Sequence, residues 1–134
     1  MKKINLVIFG ATGSIGQSTL AIVKKNPKLA VFMIYGQQPS ASTQCMPGGR
    51  KTCELLNKKT TNEVKSIIIG THASALPKKT LEEEPYTFVC QGEGPLTLEM
   101  LISKINKNNS DYSNIPGLWY KNEGVVHNNK MADM

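Results

Sequence analysis

The stretch Gly10-Ala11-Thr12-Gly13-Ser14-Ile15-Gly16 decides how this chain is read. An apolar run, Leu6-Val7-Ile8-Phe9, precedes it, and Gln17-Ser18-Thr19-Leu20-Ala21-Ile22-Val23 follows it with helical spacing. Strand, glycine turn and helix form the context that a phosphate-cradling loop needs. Gly10 suits the tight turn, Gly13 lets a backbone approach a pyrophosphate, and Gly16 lets the helix pack close to the strand. The helix start then offers N–H groups and a positive dipole end to an anion. The spacing is G-x-x-G-x-x-G rather than G-x-G-x-x-G, and a sharp strand-to-helix turn that binds nothing carries the same pattern.

Working outward, the same alternation recurs. A first strand is expected over Leu6 to Phe9 and a helix over about Ser14 to Lys25, stopped by Asn26-Pro27. Ala30 to Tyr35 reads as a second strand and Gly36 to Thr43 as a polar loop rich in small hydroxyl residues. A helix is expected over about Met46 to Lys59, with Pro47 in its first turn. Val64 to Ile69 reads as a third strand, Gly70 to Leu76 as a loop, Pro77 to Glu84 as a short helix, and Tyr86 to Cys90 as a fourth strand. Gln91 to Gly94 turns into a helix over Pro95 to about Ile105. After a polar stretch, Leu118 to Val126 reads as a β-hairpin with Gly124 at its turn, and residues 130–134 as a frayed tail.

Four apolar strands alternating with helices predict an α/β domain of Rossmann-like or flavodoxin-like, three-layer type. Its core is a four-stranded parallel sheet with flanking helices, followed by the C-terminal hairpin. One domain fits the 134 residues. Ligands of open α/β sheets bind outside the carboxyl ends of the strands. That rule makes Gly10, Thr12, Gly13, Ser14, Ile15, Gly36, Gln37, Ser40, Ser42, Thr43, Thr71, His72, Ser74 and Glu93 the candidate cofactor-binding residues.

Composition narrows the function classes. The net charge is +6, but much of it lies in lysines near expected helix ends, such as Lys24, Lys25, Lys58, Lys59, Lys104 and Lys107, and Arg50 is the single arginine. No stretch interleaves arginine with aromatics, so nucleic acid is not the expected partner. No apolar run is long enough for a membrane span. Cys45, Cys53 and Cys90 form no C-x-x-C pair and no zinc spacing, and without a recognisable signal peptide they are expected to be reduced cytoplasmic thiols. No Ser–His–Asp set or carboxylate pair is placed by sequence, so no catalytic residue is expected.

Two family resemblances then stand on separate stretches. Residues 1–29, with Gly10, Thr12 to Gly16, Ser18-Thr19-Leu20 and Asn26-Pro27, resemble the N-terminal strand and helix of deoxyxylulose-phosphate reductoisomerase. In that family the loop holds the pyrophosphate of NADPH, which implies this role for Thr12, Gly13, Ser14 and Ile15. Residues 30–129 are similar to the cobalamin-binding domain that precedes the radical-SAM domain in a methyltransferase-like family. The residues that carry it are Tyr35 to Thr43, Ile67 to Glu83, Phe88 to Pro95 and Ile115 to Asn129. The radical-SAM cluster motif C-x-x-x-C-x-x-C and the D-x-H-x-x-G loop of His-ligated cobalamin proteins are absent from the sequence. The two resemblances imply an engineered chimera of Rossmann-like fragments, non-catalytic, with cobalamin or NADP as the small-molecule cofactor. A structural chain with no ligand is the competing expectation. Should the first loop hold a dinucleotide, no carboxylate follows the second strand at Tyr35 to Ser40. Weak binding that favours NADP over NAD is then expected.

Overall fold

The computed structural model describes residues 6–9, 27–34, 39–60, 64–92 and 94–131; within these, β1 and the start of the first helix below enter as backbone alone. One sheet holds β1 (Leu6–Phe9), β2 (Leu29–Ile34), β3 (Lys65–Gly70), β4 (Phe88–Cys90), β5 (Leu118–Asn122) and β6 (Val125–Asn128). The spatial order is the sequence order. β1 to β4 run parallel, and β5 and β6 add antiparallel to β4. The hairpin therefore extends the sheet rather than standing apart from it, with Trp119 opposite Val89 and Leu118 opposite Cys90.

The helices among the described residues are α1 (Pro39–Thr60), α2 (Thr71–Ala75), α3 (Pro77–Glu83) and α4 (Pro95–Asn106). Right-handed crossovers between sequential parallel strands place their helices on one face. The core follows that rule. Ala30, Phe32 and Ile34 of β2, Ile68 of β3 and Val89 of β4 pack with Cys53 and Leu56 of α1, Ala73 of α2 and Leu81 of α3. The alternate residues, Leu29, Val31, Ile67, Ile69, Phe88 and Cys90, face Leu101 and Ile105 of α4, with Ile115 beside them. Both sheet faces are covered, which is why β2 and β3 read as continuous apolar runs rather than alternating ones.

Two expectations are corrected here. Gly36 to Thr43 was expected as a loop, with the helix starting near Met46; the helix begins at Pro39, so Ser40, Ser42 and Thr43 are helical positions and Pro47 lies inside the helix. A Pro-Ser-Ala-Ser start suits a first helical turn, and the interior proline and glycine that argue for a break are overridden by packing. A Cβ on Gly49 would lie 2.5 Å from Ile34 Cδ1 and 2.7 Å from the Tyr86 hydroxyl, so a larger residue there would make these two side-chain ends shift. Second, Gly70 to Leu76 was expected as a loop but contains α2, whose last turn closes through the Leu76 N–H donating to the His72 carbonyl at 2.9 Å.

Polar contacts fix α1 and the strand starts. Arg50 makes a two-pronged contact with Glu84, its Nε donating to Oε2 at 2.7 Å and a terminal nitrogen to Oε1 at 2.6 Å. Asn57 Nδ2 donates to the Pro85 carbonyl at 3.2 Å. Just before the β3–β4 ladder, the Ser66 N–H donates to Thr87 Oγ1 at 3.0 Å and the Thr87 N–H to Ser66 Oγ at 3.1 Å. That reciprocal pair satisfies two backbone donors where a parallel ladder begins.

Candidate functional site at the strand carboxyl ends

The carboxyl ends of β3 and β4 lie side by side, because Ile69 pairs with Cys90. Each strand ends in small residues. Gly70 closes β3, and a Cβ there would lie 1.9 Å from the Ile34 carbonyl oxygen, so the backbones of β2 and β3 meet at a distance only glycine permits. Its φ of 160° is extended, so the constraint is space and not a left-handed backbone. Gly92 and Gly94 follow β4 with φ of 107° and 99°, a region that side chains disfavour. A Cβ on Gly94 would press on Ile69 Cγ2 at 3.1 Å, whereas one on Gly92 would meet only Met131 Sδ, at 3.5 Å.

Polar side chains gather at this edge. Thr71, His72 and Ser74 lie on α2, half-buried, immediately beyond β3. Ser74 Oγ accepts the Gly92 N–H at 2.9 Å. Trp119 Nε1 donates to Gln91 Oε1 at 3.0 Å, and the Gln91 N–H donates to the Gly117 carbonyl at 2.8 Å. The loop after β4 is thus tied to α2 on one side and to β5 on the other. Thr97 in the first turn of α4 donates to the Pro116 carbonyl, anchoring the segment that leads into β5.

The structure brings Thr71, His72 and Ser74 to one edge beside Gln91 and Gly92. Ser40, Ser42 and Thr43 enter only as backbone positions of α1. Gly10, Thr12, Gly13, Ser14, Ile15, Gly36, Gln37 and Glu93 lie outside the described residues. Trp119 and Met131 were missing from the sequence-derived set. Trp119 sits in the hairpin, and only the antiparallel pairing of β5 with β4 brings its indole to the site. Nothing local in the sequence signals that pairing.

The side chains at this edge offer hydroxyl, imidazole, amide and indole groups. No group of three or more His, Cys, Asp or Glu able to hold a metal occurs among the described residues. Burial pushes the Cys53 thiol up to about 11 and raises Cys90 as well. Thiols held protonated in this way are not nucleophiles at neutral pH. No helix among the described residues is long and apolar enough to cross a membrane.

Residues 6–74 match the sequence profile of 1-deoxy-D-xylulose 5-phosphate reductoisomerase. The enzyme of that name from Shewanella frigidimarina is 38% identical over 69 residues, covering 48% of this chain and 17% of the relative. The one from Haemophilus ducreyi is 43% identical over 58 residues, covering 41% of this chain and 15% of the relative. Among solved structures, the radical S-adenosylmethionine methyltransferase TsrM from Kitasatospora setae, with tryptophan and a SAM analogue bound, superposes with a TM-score of 0.71. It is 12% identical, and the match covers 96% of this chain and 30% of TsrM. The cobalamin-dependent S-adenosylmethionine radical enzyme OxsB, with aqua-cobalamin bound, gives a TM-score of 0.63 at 22% identity, covering 92% of this chain and 16% of OxsB. At these identities the likeness is one of fold. The sequence match thus covers the first half of the chain, and the likeness of fold nearly the whole of it. By the match over residues 6–74, the chain belongs to the 1-deoxy-D-xylulose 5-phosphate reductoisomerase family.

Proposed function

We propose that this chain is a non-catalytic, cofactor-binding α/β domain that takes a cobalamin over the carboxyl ends of β3 and β4. We further propose that it joins a reductoisomerase-type N-terminal strand and helix, whose family match runs on from residue 29 to residue 74, to a cobalamin-domain-type segment that reaches residue 129, in an engineered chimera. The observation that carries the cofactor reading is the strand-end edge. Gly92 keeps the loop after β4 free of a side chain, while Thr71, His72, Ser74 and Gln91 supply polar groups around it. A flat macrocycle with amide arms fits such an edge: its ring needs a surface free of Cβ atoms and its amides need hydroxyl and carbonyl partners. The likeness of fold to OxsB with aqua-cobalamin bound supports the same reading. Thr71, His72, Ser74 and Gln91 would hold the ring, with Gln37, Ser40, Ser42, Thr43 and Glu93 around it. Cobalamin would supply a cobalt centre, and the residues of this chain would bind and orient it without moving a proton. Titration with hydroxocobalamin, followed in the visible spectrum, tests this. A saturable spectral change is expected, and no change at high micromolar cofactor would refute it.

A second reading rests on the family match at residues 6–74. In it the Gly10–Gly16 loop holds NADP, with the pyrophosphate against the backbone of Thr12 to Ile15. The neutral, polar stretch from Tyr35 to Ser40 neither repels a 2′-phosphate nor attracts it strongly. Calorimetry is expected to show weak binding that prefers NADP to NAD.

A further inference from the structure

The stretch after β6 does not leave the sheet edge. The Asn129 N–H donates to the Leu118 carbonyl at 3.0 Å, and the Lys130 carbonyl accepts the Gly117 N–H at 3.0 Å. Asn129 Nδ2 reaches two carbonyls at once, Tyr112 O at 2.7 Å and Ile115 O at 2.9 Å. An amide NH₂ satisfying two buried-segment carbonyls is a strong local anchor. Antiparallel pairing therefore continues beyond Asn128, and the chain is carried along Gly117 toward the end of β4.

Met131 is where that path arrives. Its Sδ stands over Gly92, 3.5 Å from where a Cβ on Gly92 would sit. The residue is 55% exposed, at the same edge as Ser74 and Gln91. An exposed methionine beside a glycine-floored edge is unusual for a core-facing role. A polarisable, unbranched side chain suits contact with the rim of a planar ring.

We infer that Met131 forms a wall of the strand-end site and touches the rim of the cofactor ring bound beside it, next to Ser74 and Gln91, with Asn129 as the positioning residue that holds it there. The inference rests on the cobalamin reading above and adds a contact residue from a stretch that the sequence assigns to a frayed tail. Asn129 acts only through the backbone it fixes.

The test uses the full chain with its six methionines carrying ¹³C-labelled methyl groups. The Met131 resonance is identified by its loss in Met131→Leu. In the free protein, a cross-peak between the Met131 methyl and the Gly92 α protons is expected, and its absence overturns the inference. Hydroxocobalamin is then added while the visible and methyl spectra are recorded on the same samples. A visible change accompanied by a shift of the Met131 methyl, saturating together, is the expected result. A visible change without a Met131 shift overturns this inference and leaves the cobalamin reading standing. No change in either overturns both. Met131→Ala is expected to weaken binding roughly two- to tenfold, the loss of one sulfur–ring contact, and Met131→Leu less. Asn129→Ala is expected to weaken binding and to speed hydrogen exchange at the Gly117 amide; unchanged exchange would show that Asn129 does not position the wall.

Discussion

Ser74 Oγ accepts the backbone N–H of Gly92 at 2.9 Å, joining the short helix after β3 to the loop after β4. The two segments belong to different βα units, and this is the contact that makes their ends one surface. Ser74→Ala removes the acceptor and leaves a partly buried N–H without a partner, at a cost of about 1–2 kcal/mol. Urea unfolding of the variant should show a lower midpoint with an unchanged slope, and Ser74→Thr should recover most of the loss. An Ala variant as stable as the parent would show the contact to be incidental.

Gly70→Ala should be far more damaging than a usual glycine substitution. The new methyl would lie 1.9 Å from the Ile34 carbonyl oxygen, a backbone atom held in the β2–β3 ladder. The strands must separate, which is expected to cost at least about 2–3 kcal/mol. Thermal melts of Gly70→Ala and Gly124→Ala make the comparison, because a Cβ on Gly124 meets nothing within 4 Å. Gly124 has φ of 79°, so its variant carries backbone strain alone.

The Tyr86 hydroxyl is buried and makes no hydrogen bond among the described residues. Its ring packs edge-on against Phe32, with centroids 5.2 Å apart. Tyr86→Phe keeps that packing and removes a desolvated, unpaired oxygen, so it should leave stability unchanged or raise it by up to about 1 kcal/mol. A clear loss of stability in chemical denaturation would mean that the hydroxyl has a partner in solution.

Alkaline pH should destabilise the fold through Cys53. Burial pushes its thiol from 9.0 to about 11. Below pH 9 both folded and unfolded states keep the proton, and the native state has its full stability. Between about pH 9 and 11 the unfolded state releases the proton first, so stability falls across that window. Tyr86, also raised by burial, adds to the fall above pH 10. Melting temperatures from pH 8 to 11 should drop less steeply in Cys53→Ala than in the parent, although the variant starts lower because it leaves a cavity.

Much of the fold is legible in the sequence, for a physical reason. Strands buried on both faces must be apolar throughout, and the stretches around Val31, Ile68 and Val89 are; Pro77 and Pro95 mark helix starts that the structure keeps. What is not legible depends on distant partners. The start of α1 is hidden because Pro47, Gly48 and Gly49 read as helix breakers, and the close approach of Gly49 to Ile34 and Tyr86 depends on residues far away in the sequence. At the site, Thr71, His72 and Ser74 are found by the strand-end rule. Trp119 and Met131 are not, since they arrive through antiparallel pairing that has no local signature.

The glycine loop offers its own prediction. Gly13→Val should abolish dinucleotide binding, because a branched side chain blocks the approach of a pyrophosphate to the backbone. Calorimetry with NADP on parent and variant reads this, and NADP binding that survives the substitution would place the dinucleotide elsewhere.

The central claim is that the β3–β4 strand ends hold a cobalamin. Equilibrium dialysis of the parent chain and of a Thr71→Val, Ser74→Val double variant against hydroxocobalamin tests it most directly, with circular dichroism confirming that both are folded. The account predicts saturable uptake approaching one cofactor per chain in the parent and at least several-fold weaker uptake in the folded variant. No uptake by the parent, or equal uptake by both, would contradict it.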